Sequence, residues 1–129
     1  MEKGIIDISQ LTTPPEKHEL NTAKFFSEMG KNIVFIRPSN IPSVYRPDIL
    51  MDGIEWEIKS PQGKGARTIE KIYKKASEQS ANIIFDLRRC GLSDAVAIRQ
   101  LEREFNDKHS KRLLIITKTN ELIKFSKTS

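Results

Sequence analysis

The sequence is poor in the features that mark secreted and membrane proteins. It has a single cysteine, Cys90, so it can form no internal disulfide, which suits a reducing compartment. No apolar run approaches the roughly 20 residues needed to span a membrane. The first residues, MEKGIIDISQ, lack the basic start and apolar stretch of a signal peptide. We therefore expect a protein without a membrane partner or signal peptide.

Length and charge narrow the class of protein further. A chain of 129 residues predicts one domain, 1–129, which can bury about two-thirds of its unfolded surface without a covalent staple. Its hydrophobic fraction of 37% and charged fraction of 30% are typical of globular proteins. The net charge of +5 favours an anionic partner, either a nucleic acid or an acidic protein.

The first predicted helix carries an acidic residue on its inner face. TPPEKHELNTAKFFSEMG, residues 13–30, predicts a helix with Thr13 as its N-cap and Gly30 as its stop. Glu19 falls on the same inward stripe as Ala23. This position indicates either a functional carboxylate or a residue that gains only from the helix dipole.

The rest of the chain alternates between strand and helix patterns. After a hairpin turn at Asp52-Gly53, the periodicity predicts helices at 67–81 and about 93–106. The predicted strands are NIVFIRP, the two arms of the hairpin, NIIFDL, RLLIIT and ELIKF. This order predicts an α/β fold with a mixed central sheet flanked by helices, ending in a C-terminal helix and one or two strands.

The hairpin gathers charge on one of its faces. A two-residue turn pairs Met51 with Ile54, Leu50 with Glu55, Ile49 with Trp56, and Asp48 with Glu57. Asp48, Glu57 and Lys59 then share the face opposite the apolar one, with Glu55 left beside the turn. Directly opposed residues have Cβ atoms about 4.5–5.5 Å apart, so two carboxylates there repel unless a cation lies between them, and Mg²⁺ prefers such oxygen ligands. The alternative is a solvent-facing Glu-Lys pair.

The pattern Pro47-Asp48, eight further residues, then Glu57-Ile58-Lys59 resembles the motif of PD-(D/E)xK nucleases. That resemblance implies a restriction-endonuclease-like core of helix, three strands, helix and strand within residues 14–87. Residues 1–12 would be a leader and residues 88–129 a C-terminal extension. It also implies that Mg²⁺ or Mn²⁺ is held by Glu19, Asp48 and Glu57, with Lys59 as a further catalytic residue.

A narrower resemblance rests on WEIKSP, the glycine-rich turn after it, and a helix ending in EQSANIIFDL. These segments look like the C-terminal nuclease toxin domains of contact-dependent growth inhibition proteins and related polymorphic toxins, over most of residues 16–90. The resemblance implies cleavage of tRNA in the cytoplasm of a target cell and neutralisation by a cognate immunity protein.

Six further residues are candidates for contact with substrate: Ser60, Lys64, Arg67, Thr68, Gln79 and Arg88. Lys64 and Arg67 equally suit an ordinary solvated helix face. Two other functions stay open, a restriction-type or repair-type DNase of the same fold and a non-catalytic module that binds nucleic acid or protein. For an RNA substrate, internal attack by the 2′-hydroxyl could also proceed without a metal.

Overall fold

A computed structural model describes residues 2–127 of the chain. Contacts within it divide the chain between Ile58 and Lys59 into two compact units, which we call the N-terminal unit (residues 1–58) and the C-terminal unit (residues 59–129). Each is described by itself. Across the described residues, no helix is both long enough and apolar enough to cross a membrane.

The N-terminal unit consists of one helix and short strands. Its elements are β1 (Ile6–Asp7), α1 (Lys17–Glu28), β2 (Ile33–Phe35), β3 (Ile49–Met51) and β4 (Ile54–Lys59), whose last residue already belongs to the C-terminal unit. The strands follow the order β1-β2-β3-β4. β1 pairs with β2 in parallel, whereas β2 with β3 and β3 with β4 are antiparallel, so the sheet is mixed.

Helix α1 begins later than the sequence predicts. Its N-cap is Glu16, not Thr13, and Glu16 forms a reciprocal capping box with Glu19. The delay has a steric cause, since the residue before a proline is disfavoured in the helical region and Pro14 precedes Pro15. At the other end Gly30 adopts a φ of 89°, as the predicted stop requires.

The segment expected as a leader contains a strand. Ile6 pairs with Ile33, and the N–H of Gly4 donates to the carbonyl of Ser27 at 2.7 Å. Gly4 lies so close to the main chain of Lys31 that an added Cβ would be 1.7 Å from the Lys31 carbonyl oxygen. A two-residue strand has no periodicity of its own, so only this tertiary packing reveals it.

The hairpin turn forms as predicted. Asp52 and Gly53 both adopt positive φ, 53° and 81°, which is the combination that suits a two-residue hairpin loop. Three of the predicted cross-strand pairs are present: Ile49 with Trp56, Leu50 with Glu55, and Met51 with Ile54. The fourth, at Asp48, is not.

The C-terminal unit is a second α/β arrangement. Its elements are α2 (Thr68–Gln79), β5 (Asn82–Asp86), α3 (Asp94–Asp107), β6 (Arg112–Ile116) and β7 (Leu122–Ser126). β5 and β6 are parallel, and β7 joins β6 antiparallel. The predicted α/β class is confirmed, and the order helix, three strands, helix, strand runs from α1 to β5.

The core of the C-terminal unit explains why its helices form where they do. The apolar positions of α2 and α3 pack with β5 and β6 in one cluster that includes Tyr73, Phe85 and Leu101, each with no exposed surface. The rings of Tyr73 and Phe85 are stacked with their centroids 5.7 Å apart. Ser93 caps α3 by accepting from the Val96 N–H, at the start of the segment predicted as a helix.

Candidate active site

A cavity in the N-terminal unit brings together two of the predicted catalytic carboxylates. It encloses about 260 Å³ and is lined by residues 11–16 and 35–36 together with Glu19, Pro38 and Asp48. The segment before α1 thus forms one wall, while the end of β2 and the start of β3 contribute the other. Glu19 and Asp48 are 29 positions apart in the sequence, so it is the fold that brings both to the wall of the same cavity.

Glu19 has a structural task in addition to its place on the cavity wall. One of its carboxylate oxygens accepts a hydrogen bond from the N–H of Glu16 at 3.2 Å. This contact satisfies one of the main-chain donors that the first turn of a helix leaves without a partner. A carboxylate has two oxygens and about four acceptor positions, so the cap leaves Glu19 capacity for a further ligand.

The main chain turns at Asp48, which is why the predicted pairing with Glu57 fails. In a regular strand the N–H and C=O of one residue point to the same neighbour. At Asp48 the N–H donates to the carbonyl of Trp56 on β4, while the C=O accepts from the N–H of Ile36 after β2. The side chain completes the ladder instead, since its carboxylate accepts from the N–H of Ile58 at 2.7 Å.

The three acidic residues of the hairpin differ in their exposure. Glu57 is only 6% exposed and Asp48 is half-buried. Glu55 beside the turn is exposed, as expected for a residue outside the proposed site. A buried carboxylate is costly unless it is compensated within the molecule. Glu57 is therefore not part of an ordinary solvated surface. Lys59 ends β4 two residues further along and is half-buried.

The donor set suits a divalent cation held by few protein ligands. Within residues 2–127, no group of three or more His, Cys, Asp or Glu side chains has the arrangement to hold a metal ion. Of the three predicted ligands, Glu19 and Asp48 line the cavity, and Glu57 is not among the described lining residues. Mg²⁺ is commonly bound through one or two carboxylates while water and substrate phosphate complete its coordination, so these two residues fit it.

Two candidate substrate contacts of the C-terminal unit have partners within the fold. Arg88 holds Asp86 in a two-pronged ion pair, with its Nε 2.9 Å from one carboxylate oxygen and its Nη2 2.7 Å from the other. Arg89 donates from Nε to both the carbonyl and the hydroxyl of Ser60, at 3.0 and 2.9 Å. Since Asp86 is buried, the guanidinium of Arg88 serves the fold first.

The turn after β5 lies against the glycine-rich segment after β4. The N–H of Gly91 donates to the carbonyl of Gly63 at 3.1 Å. Only glycine fits at position 91, because an added Cβ would lie 2.7 Å from the Cβ of Lys64. Lys64 itself is exposed, so its ammonium is available to an anionic ligand.

The remaining candidates lie on α2 and are not gathered in one place. Thr68 and Gln79 are its first and last residues, which separates them by about 16 Å along the helix axis. Arg67 pairs with Glu70 at 3.1 Å, and this contact raises the pKa of the guanidinium. Only one of the two ends of α2 can therefore contribute to any single small site.

Sequence reasoning missed two features near these residues. The ion pair of buried Asp86 with Arg88 at the end of β5 was missed, although an acid two residues before an arginine could have suggested it. The contribution of residues 11–16 to the cavity wall was also missed, because their sequence indicates only an entry to a helix.

Comparisons with known proteins place this arrangement in a wider context. A family model described as "Contact-dependent growth inhibition CdiA C-terminal domain" matches residues 45–122. The fold is similar to a chain of the solved "CdiA-CT/CdiI toxin and immunity complex from Burkholderia pseudomallei", with a TM-score of 0.68. The two are 18% identical, and the match covers 96% of this chain and 100% of that one. No curated protein matches the chain significantly.

Proposed function

The chain belongs to the family of CdiA C-terminal domains of contact-dependent growth inhibition, and is on that ground a toxin domain; from this premise we propose that it is a metal-dependent nuclease of the PD-(D/E)xK type. The observation that carries the proposal is the cavity that Glu19 and Asp48 both line. Glu57 and Lys59 follow on β4, in the spacing that first suggested a nuclease.

The proposed site separates its tasks among the four residues. Glu19 and Asp48 are the oxygen donors that would hold Mg²⁺ or Mn²⁺, with water and substrate phosphate completing its coordination. The resemblance adds Glu57 as a third donor, but Glu57 is not among the described lining residues of the cavity. When bound, such an ion lowers the pKa of a coordinated water and stabilises negative charge on a phosphate. Asp48 is held in place by the N–H of Ile58, so its orientation is fixed before any ligand arrives. Lys59 orients the attacking water and offsets charge as the phosphodiester bond breaks.

The proposed substrate is RNA, with tRNA favoured, and the proposed site of action is the cytoplasm of a target cell. The support is the family membership together with the positive charge of the C-terminal unit, which attracts a polyanion. Lys64 and its neighbours on α2 supply phosphate contacts in this account. Because the similar solved structure is a toxin and immunity complex, we extend the proposal to a cognate immunity protein that neutralises this domain.

A substrate panel tests the proposal. Purified protein is incubated with total tRNA, supercoiled plasmid and single-stranded DNA, in Mg²⁺, in Mn²⁺ and in EDTA, and the products are resolved on denaturing gels. We expect cleavage of tRNA that requires the divalent cation. Cleavage of DNA in preference to tRNA would favour the DNase alternative. Undiminished cleavage of tRNA in EDTA would show that the reaction needs no metal, and would favour internal attack by the 2′-hydroxyl.

Binding without turnover in any metal would instead indicate a non-catalytic module. A second measurement, the binding of Mn²⁺ followed by electron paramagnetic resonance, reports on the cation independently of cleavage. The proposal predicts that Glu19→Gln and Asp48→Asn each weaken Mn²⁺ binding, while Glu28→Gln, an exposed acid of α1, leaves it unchanged.

A further inference from the structure

A loop of the N-terminal unit exposes apolar side chains that the proposed chemistry does not use. It spans residues 37–47 and joins β2 to β3. Ile41 is 63% exposed, Val44 46% and Tyr45 64%. Large apolar side chains that cluster in one exposed loop indicate a surface that meets a partner.

The loop has a defined shape without its partner. Residues 41–44 form a turn in which the N–H of Val44 donates to the carbonyl of Ile41 at 3.2 Å. Pro42 occupies its second position, and Ser43 adopts a φ of 67° at its third, the pattern of a type II turn. A loop that is already ordered loses less conformational entropy when a ligand binds.

The charge of the loop selects an anionic partner. Residues 37–47 contain Arg37 and Arg46 and no acidic residue. Arg46 donates to the carbonyl of Arg37 at 3.4 Å, and Arg37 donates from Nε to the carbonyl of Gln10 at 3.3 Å. Among the described residues neither guanidinium pairs with a carboxylate, so both charges stay available to a phosphate.

Both ends of the loop lie on the wall of the cavity. Pro38 and Asp48 are lining residues, so the loop leaves the cavity on one side and returns to it on the other. Tyr45 precedes Asp48 by three residues, which places their Cα atoms at most about 11 Å apart. That distance is about three nucleotide steps in a stacked strand.

The geometry points to the loop 37–47 as a binding platform for unpaired nucleotides, with a base stacked on Tyr45 and the adjoining phosphates on Arg37 and Arg46. This inference rests on the proposed function and specifies the form of its substrate as single-stranded. An exposed aromatic ring flanked by cations is the combination that binds single strands, because every unpaired base offers a face for stacking. A fully paired duplex keeps its bases stacked on each other and cannot supply that face.

The test measures binding rather than cleavage. A fluorescein-labelled RNA of about 12 nucleotides, a DNA of the same sequence and the matching blunt RNA duplex are titrated with protein in EDTA, with fluorescence anisotropy as the readout. We expect the single strands to bind more tightly than the duplex. Tyr45→Ala should weaken single-strand binding by about 5- to 150-fold, whereas Tyr45→Phe keeps the stacking face and stays within about twofold.

Matched variants separate stacking from charge and from fold. Ile5→Ala removes another exposed apolar side chain of the same unit, 71% exposed, and should leave binding unchanged. Arg46→Gln should make the dependence of log K on log salt shallower by about 0.7. Circular dichroism confirms that each variant is folded.

Equal binding by the wild type, Tyr45→Ala and Ile5→Ala would overturn the inference and assign the apolar loop to a protein partner. Preference for the duplex would overturn it as well. The titration reads binding, and gels check each sample for cleaved RNA, so failure of the nuclease assay leaves this measurement interpretable. Failure of the platform leaves the nuclease proposal standing.

Discussion

The two compact units carry charge of opposite sign. Residues 1–58 hold 6 Lys and Arg against 9 Asp and Glu, a net charge of −3, whereas residues 59–129 hold 16 against 8, a net charge of +8. The overall value of +5 conceals this division. In the function proposed above, the acidic unit contributes carboxylates for a cation, and the charge of the basic unit attracts a polyanion.

The carboxylates of the two units are also used differently. In the N-terminal unit Glu19 and Asp48 accept hydrogen bonds from main-chain N–H groups and keep their place on a cavity wall. In the C-terminal unit Asp86 and Glu104 are buried and each lies beside a cation, Arg88 for the first and Lys108 for the second, with N–O distances of 2.7 and 3.4 Å. Glu19 and Asp48 thus line the cavity of the proposed site, whereas Asp86 and Glu104 are not among its described lining residues and each lies beside a cation of the fold.

The variant Glu19→Gln should give the largest effect, because it tests whether a carboxylate of the N-terminal unit serves the chemistry as well as the fold. Glutamine caps a helix at this position as well as glutamate does, so the free energy of unfolding should change by less than about 0.5 kcal/mol. Loss of the charge should lower the rate of tRNA cleavage by about 10²- to 10⁴-fold if Glu19 serves the chemistry. Glu28→Gln on the same helix is the control. An equal rate of tRNA cleavage in the two variants would show that Glu19 only caps the helix.

The C-terminal unit should respond to loss of packing. Leu101→Ala removes a side chain with no exposed surface from the cluster between α2, α3 and the strands, and should lower the free energy of unfolding by about 2–5 kcal/mol. Val96→Ala, on the exposed side of the same helix, should change it by less than about 0.5 kcal/mol. Urea denaturation measures both, and similar values for the two would contradict the assigned core.

The charge of the C-terminal unit should act through salt dependence. Replacing Lys71 and Lys74, both exposed on α2, with glutamine should make the slope of log K against log salt for RNA binding shallower by about 0.7–0.9 for each phosphate that the variant no longer neutralises. The turnover of bound RNA should stay unchanged. The control replaces Lys111 and Lys124, which are exposed outside this helix, with glutamine. An equal change of slope in the control would show that only the net charge matters and not the position of the lysines.

The smallest expected effect concerns pH. Burial raises the pKa of Tyr73, whose hydroxyl is hydrogen-bonded to Ser110. A group with a raised pKa contributes stability that is fully present below its unfolded value near 10 and is lost as the pH rises through the folded value. Tyr73→Phe should therefore show a shallower loss of stability above about pH 10 than the wild type, in denaturation series at pH 8 to about 11. Parallel curves would show that Tyr73 does not carry this dependence.

The elements set by local chemistry could be predicted from the sequence. Asp52-Gly53 defines its turn without help from the rest of the chain, and three cross-strand pairs follow from it. The regular apolar spacing of α2 and α3 likewise needs no distant partner, so these helices lie where the periodicity indicates.

The features that failed depend on contacts distant in sequence. Asp48 leaves the ladder because Ile36, twelve residues earlier in the chain, donates to its carbonyl from the end of β2. β1 forms only because β2 offers it an edge, and the cavity depends on residues 11–16, which line it together with the end of β2. The spacing of Asp48, Glu57 and Lys59 could therefore suggest a reaction, but it could not give the geometry of the site.

The most direct test of the account compares Asp48→Asn with Glu55→Gln in tRNA cleavage at saturating Mg²⁺. Asparagine can still accept the hydrogen bond from the Ile58 N–H through its side-chain oxygen, so the local fold is kept while the charge is lost. Glu55 lies on the same hairpin and is exposed beside the turn. The account predicts a rate about 10²- to 10⁴-fold lower for Asp48→Asn and a rate near that of the wild type for Glu55→Gln. Cleavage by Asp48→Asn at the wild-type rate would contradict the proposed active site.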